Sequence, residues 1–159
     1  MAKTDSKKEF RDPTAGPIFS LRFVIALLLI AVGIAWIAFY YLVVRVDPTV
    51  FPEPEPGGPK IFETLSDWKG YNWNYIGGFT MVLVGLALSA HPSTPLGRGR
   101  GVVVGMLGCF LLGLLWICTY YVFSDDPSAI PVMNDLEQYN LVVGIALMAV
   151  GFTFATRWE

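Results

Sequence analysis

The sequence predicts an all-α integral membrane protein: four transmembrane helices arranged as two parallel two-helix hairpin repeats, with both termini cytoplasmic. Three observations support this expectation. The 159-residue chain is 54% hydrophobic and only 15% charged, where a soluble domain carries about 25% charged residues. Residues 23–44, 70–97, 101–124 and 138–156 contain no Asp, Glu, Lys or Arg. The basic residues fall mainly on one side of these stretches and the acidic residues on the other. A water-soluble bundle would need amphipathic helices to cover its buried ones, and no segment is long enough to do so. This composition excludes a nucleic-acid binder, a soluble enzyme and a secreted disulfide scaffold.

Residues 1–22 form a basic cytoplasmic tail, in which Lys3, Lys7, Lys8 and Arg11 are drawn to anionic lipid. This polar start is longer than the basic region of a signal peptide, so the first span is expected to be a retained anchor. The first transmembrane hairpin, 23–91, contains span 23–44, a Pro-rich outer loop at 46–70, and a second span at 74–90 stopped by Pro92 and Pro95. A cytoplasmic linker, 92–100, leads to the second hairpin, 101–159, with spans at 101–123 and 139–156. About 20 apolar residues at 1.5 Å each cross a hydrocarbon core of about 30 Å. Orientation follows from Arg22, Arg98, Arg100, Arg157 and the tail lysines on one side, against only Arg45, Lys60 and Lys69 on the other. The expected location is the plasma (inner) membrane. All seven tyrosines fall at the outer ends of spans, where the ring sits among headgroups with its hydroxyl hydrated.

The two halves align with each other. Gly33 to Tyr41 matches Gly113 to Tyr121 at an offset of 80 residues, bringing Trp36 onto Trp116. Asn74, Gly78 and Gly85 fall on Asn140, Gly144 and Gly151 at an offset of 66, which leaves a 14-residue insertion in the first outer loop. Some transporters are built from parallel repeats, but their sites use broken helices or ionisable groups near the midplane. These spans offer neither.

Each hairpin opens with a span carrying a late Trp, Trp36 or Trp116. The first continues into Trp73-Asn74-Tyr75, and the second closes on Ala155-Thr156-Arg157-Trp158. This pattern resembles the small actinobacterial CrgA-type cell-division membrane proteins, as a tandem duplicate where the family usually has one copy. Neither half carries the whole pattern: the first ends Ser89-Ala90-His91, and the second opens Gln138-Tyr139-Asn140. The resemblance implies a role in cell division and septal wall synthesis, with Trp73, Asn74, Tyr75, Arg157 and Trp158 as the family motif residues.

Signals for chemistry are absent. One histidine, His91, cannot build a bis-His haem site or a multi-His copper site, and is expected to cap a helix end. Cys109 and Cys118 lie nine residues apart on opposite faces of one helix and read as packing residues. Asp125-Asp126 reads as a solvated turn. No catalytic residue, cofactor or metal ligand is expected, and no small-molecule substrate.

Packing and contact remain. Gly101, Gly105, Cys109 and Gly113 form a small-residue stripe that seats a neighbouring helix, and Gly78, Gly85, Gly144 and Gly151 serve the same end on the second and fourth spans. Such stripes hold the bundle together or face a partner, and the sequence leaves both open. In the outer loop, Pro52, Pro54 and Pro56 favour an extended polyproline II arm. It is followed by Ile61, Phe62, Leu65 and Trp68 at helical spacing, an amphipathic turn suited to the headgroup region or to docking. The expected function is that of a non-catalytic scaffold or assembly protein whose partners are integral membrane proteins of a larger complex and the lipid bilayer. The alternative is an accessory subunit or assembly factor of a respiratory supercomplex of the cytochrome bcc-aa3 type.

Overall fold

A computed structural model describes residues 20–46, 51–52, 55, 57–69, 71–125 and 130–156. The chain is all-helical over these residues. Helix α1 (Leu21–Phe39) runs on into a π-helical turn (Tyr40–Val44), followed by the short α2 (Lys60–Ser66), α3 (Trp73–Ser89), α4 (Arg100–Val122), the single turn α5 (Met133–Leu136) and α6 (Tyr139–Ala155). Two helical stretches, Leu21–Val44 and Arg100–Val122, are long and apolar enough to cross a membrane. Helices α3 and α6 are equally apolar but shorter, at 17 residues each.

Each start and stop has a local cause. The Ser20 hydroxyl accepts from the Phe23 amide at 3.2 Å and caps α1. Asn72 does the same for α3 through the Asn74 amide at 3.2 Å. Beyond α3 the chain turns sharply around Thr94, which is fully buried. Its hydroxyl donates to the Ser89 carbonyl, lies 2.8 Å from that of His91, and accepts from the Gly97 amide at 3.1 Å. Pro92 and Pro95 exclude helix through this stretch. Arg22, at the start of α1, reaches both ring nitrogens of His91 and ties the two helix ends together.

Helix α1 packs along α3 and α4 along α6. The two pairs meet more narrowly, mainly through α3 and α6. Within each pair the contact is set by glycine. A methyl group added at Gly33 would lie 2.7 Å from the Gly78 carbonyl oxygen, and one at Gly113 would lie 2.5 Å from that of Gly144. Ile37 covers Gly78, and Ile117 covers Gly144. At the next level, Gly85 lies against Ile30 and the Ala26 carbonyl, while Gly151 lies against Phe110 and the Met106 carbonyl. These four contacts therefore pair between the hairpins at the offsets seen in the sequence. Backbones that approach this closely gain dispersion contacts that larger residues would prevent.

Two apolar clusters close the bundle. One, at the end bearing Arg45, gathers Tyr40, Val44, Phe62, Tyr75, Leu136 and Val143. The other, at the His91 end, gathers Ala90, Val102, Cys109, Val150 and Phe154. The outward faces stay apolar, with Leu28, Leu111, Leu115, Val142 and Phe152 all exposed.

Replacing Gly33 or Gly113 with Ala is expected to destabilise its hairpin by about 1–3 kcal/mol, because the new methyl meets backbone that cannot turn aside. Gly77 and Gly108 have nothing within 4 Å of an added methyl. Alanine there is expected to be neutral or to add up to about 1 kcal/mol through helix propensity. Thermal unfolding of the four variants in one detergent checks the contrast.

Candidate functional site

The polar and aromatic groups of the chain converge at the Arg45 end. The π-helical turn closes with the Arg45 amide on the Tyr40 carbonyl at 2.8 Å, a rare geometry that recurs at functional positions. The Arg45 guanidinium donates from Nε to Asp135 Oδ2 at 2.5 Å, with both side chains largely buried (12% and 16% exposed). The Tyr75 hydroxyl donates to the same oxygen at 2.6 Å. That carboxylate on α5 thus draws together the end of α1 and the start of α3. The hydrogen bond to Asp135 raises the Arg45 pKa above its ordinary value, outweighing burial, so the cation stays charged. Its face also lies 5.1 Å from the Tyr41 ring centroid.

Beside this pair, Asn72 Nδ2 donates to the Tyr40 hydroxyl at 2.7 Å, and the Tyr40 and Tyr75 rings meet edge to face at 5.1 Å. These contacts correct the expectation that all seven tyrosines hold hydrated hydroxyls. Tyr40 and Tyr75 are buried because Asn72 and Asp135 supply the partners that water would otherwise provide. Tyr71, Tyr121 and Tyr139 are exposed.

Two fully buried asparagines hold the connecting segments. Asn74 Nδ2 donates to the Phe62 carbonyl at 2.8 Å and to Ser66 Oγ at 3.3 Å, fixing α2. Asn140 Nδ2 donates to the carbonyls of Met133 at 2.7 Å and Glu137 at 2.8 Å, fixing α5. The α5 segment needs that restraint, since Val132 (φ 70°) and Glu137 (φ 44°) both lie in the left-handed region that side-chain-bearing residues disfavour. The Oδ1 atoms of Asn74 and Asn140, like the Nε1 atoms of Trp36 and Trp116, are buried without a partner among the described residues. They form two equivalent sets, one per hairpin.

The residues expected to pack or dock fall as follows. Gly105 faces the Phe154 ring, Cys109 is buried in the same cluster, and Gly101 lies on the Pro95–Leu96 backbone. With Gly113 against Gly144, the stripe on α4 therefore meets this chain's own α6 and the turn before α4. Pro52 is exposed, whereas Pro54, Pro56, Arg157, Trp158 and Asp126 lie outside the described residues. Phe62 departs from an outward docking role. It is buried, with its ring centroid 4.4 Å from Trp36 and 5.2 Å from Phe39, because α2 folds back over the end of α1. Leu65 is half-buried. The outward surface of this segment consists of Phe51, Ile61, Trp68, Tyr71 and Trp73. The Trp68 and Trp73 rings lie tilted at 50° with centroids 5.5 Å apart, and Trp73 Nε1 donates to the Trp68 carbonyl at 2.9 Å. Among the described residues no group of three His, Cys, Asp or Glu is placed to hold a metal ion. Sequence reasoning missed Arg45 and Asp135. A complementary pair flanking two apolar spans was the available signal, but nothing in their spacing links positions 90 residues apart.

Comparison with known proteins places residues 95–159, the turn and second hairpin, in a match to the family described as "Cell division protein CrgA". A cell division protein CrgA of Streptomyces avermitilis is 38% identical over 64 residues, which is 40% of this chain and 71% of that protein. The CrgA of Corynebacterium aurimucosum is 32% identical over 63 residues, 40% of this chain and 66% of the relative. That of Corynebacterium efficiens is 32% identical over 54 residues, 34% of this chain and 57% of the relative. No solved structure matches the chain.

Removing Arg45 or Asp135 alone leaves its partner's charge largely buried, whereas removing both does not. The double variant Arg45→Ala, Asp135→Ala is therefore expected to be less destabilised than the sum of the single variants by about 1–2 kcal/mol. A double-mutant cycle on detergent unfolding midpoints checks this coupling.

Proposed function

Because the chain belongs to the CrgA family of cell division proteins, we propose that it is a non-catalytic membrane scaffold that brings other integral membrane proteins together during division and septal wall synthesis. The family match over the second hairpin is the observation that carries this reading. The first hairpin makes glycine contacts that correspond to those of the second, and in each a buried asparagine donates to the backbone of the short helix before it. On that ground we read the chain as two fused copies of the family's hairpin, 23–91 and 101–159, joined by the linker 92–100.

In the same proposal all four long helices cross the bilayer, α3 and α6 at the lower limit of spanning length. The basic tail, linker and C-terminus lie in the cytoplasm, and the Arg45 end faces outward. Fusion fixes the two hairpins in a one-to-one ratio and leaves their outer loops unequal. The glycine stripes are occupied within the chain, so partner contact falls to the lipid-facing helix surfaces and to the exposed aromatic surface around Trp68. Tryptophan and tyrosine are enriched among the few residues that carry most of the binding energy at protein interfaces.

The test is affinity purification of the tagged full chain in gentle detergent, with mass spectrometry of the proteins retained. Septal wall synthases and other division membrane proteins are expected. Haem-bearing cytochrome subunits in fixed ratio would instead make the chain a respiratory accessory subunit and overturn the division role. Trp68→Ala is expected to lower partner retention about tenfold or more while leaving the unfolding midpoint of the bundle unchanged. Equal retention by the variant would exclude this surface as the contact.

A further inference from the structure

Each hairpin buries one hydrogen-bond donor and one acceptor that no described residue satisfies. The donors are the Nε1 atoms of Trp36 and Trp116, and the acceptors are the Oδ1 atoms of Asn74 and Asn140. Both asparagines are fully buried. A polar atom buried without a partner loses its contact with water and gains nothing in return. One such atom is a local cost, but the same donor and the same acceptor recur at matching positions in both hairpins. We propose that each hairpin holds a bound water molecule that accepts the tryptophan N–H and donates to the asparagine oxygen. The proposal goes beyond the division role and does not depend on it.

The packing register brings donor and acceptor to neighbouring levels. Trp36 lies between Gly33 and Ile37, the residues of α1 that meet Gly78, and Asn74 precedes Gly78 by about one helical turn. Trp116 lies likewise between Gly113 and Ile117, which meet Gly144, and Asn140 precedes Gly144 by the same step. Each pair also abuts one piece of the connecting segment. Trp36 packs on the Phe62 ring with centroids 4.4 Å apart, and Asn74 donates to the Phe62 carbonyl at 2.8 Å. In the second hairpin Trp116 borders a groove with Val132, and Asn140 donates to the carbonyl of the next residue, Met133, at 2.7 Å.

Donor and acceptor chemistry selects the occupant. Both Nδ2 hydrogens of each asparagine are already used, by Phe62 and Ser66 in the first hairpin and by the Met133 and Glu137 carbonyls in the second. The reverse amide orientation would set oxygen against those carbonyls, so the remaining group is the acceptor. The indole offers a donor and nothing else. An occupant must therefore accept from one group and donate to the other. A metal cation cannot accept the indole hydrogen, and a simple anion cannot donate to the amide oxygen. Water does both, and two polar partners are enough to hold it. Trp and Asn are not hydrogen-bonded to each other directly, which is the circumstance in which a bridging water replaces a direct bond. The bridge would join the first helix of each pair to the second through the residue that already holds the short helix.

The experiment is proton–nitrogen NMR of the full chain in detergent micelles, with rotating-frame transfer from water. In that experiment dipolar transfer from a bound water has the opposite sign to proton exchange with solvent. The indole N–H signals of Trp36 and Trp116 are assigned by their loss in Trp36→Phe and Trp116→Phe. In the wild type, both indoles and the side-chain amides of Asn74 and Asn140 are expected to show dipolar cross-peaks to water. Trp36→Phe is expected to shift the Asn74 amide signals and weaken their water cross-peak while leaving Asn140 unchanged, and Trp116→Phe to do the reverse. Should either variant fail to fold, the wild-type cross-peaks alone decide. Indole signals with no water cross-peak, or with one of exchange sign, overturn the site. A response of each asparagine to its tryptophan without any water cross-peak also overturns it, and makes the link a direct bond. Cross-peaks from the indole N–H to detergent chains instead of water overturn it as well, and place Nε1 against hydrocarbon.

Discussion

Two helices surrounded by hydrocarbon gain nothing by hiding apolar side chains from it, so the closeness of backbone approach decides whether they stay together. In this chain that closeness depends on Gly33 against Gly78 and Gly113 against Gly144, where carbonyl oxygens occupy the space that a side chain would need. The other contacts follow from this register. With the glycines in contact, Ile37 and Ile117 seat on the facing helix, and Asn74 and Asn140 reach the ends of the hairpins at the depth where α2 and α5 must be held. Slipping either pair by one residue would bring a branched side chain against a carbonyl and move the asparagine off its loop.

The hairpins themselves were readable from the sequence because they depend on local and periodic properties. Long uncharged stretches give the helices, and prolines mark the turn at residues 91–99. The glycines that align between the two halves also meet in corresponding contacts, Gly33 with Gly78 and Gly113 with Gly144, although the sequence left open whether the stripes pack the bundle or face a partner. The spans expected at 74–90 and 101–123 differ from Trp73–Ser89 and Arg100–Val122 by one residue at each end.

The joint between the hairpins was not readable. It is made by Arg45, Asp135 and Tyr75, three residues whose partners are fixed by the π-helical turn after α1 and by two left-handed backbone positions around α5. Neither feature has a periodic signature. Phe62 illustrates the same limit. Its spacing with Ile61, Leu65 and Trp68 describes an amphipathic turn, but only the arrangement of Trp36 and Phe39 beneath it shows that Phe62 is the residue that turns inward.

The unequal lengths of the paired helices have a consequence for the bilayer. Leu21–Val44 extends for about 36 Å and α3 for about 25 Å, and α4 and α6 repeat the disparity with 23 and 17 residues. A hydrocarbon core of about 30 Å is too thin for the first helix of each pair and too thick for the second. In the proposed four-span arrangement, with α3 and α6 side by side, the two short helices would share one flank, where lipid would be drawn thin while the longer helices tilt or protrude on the other. Such mismatch would make the molecule sensitive to membrane thickness, since a uniform bilayer that suits one helix of each pair does not suit the other.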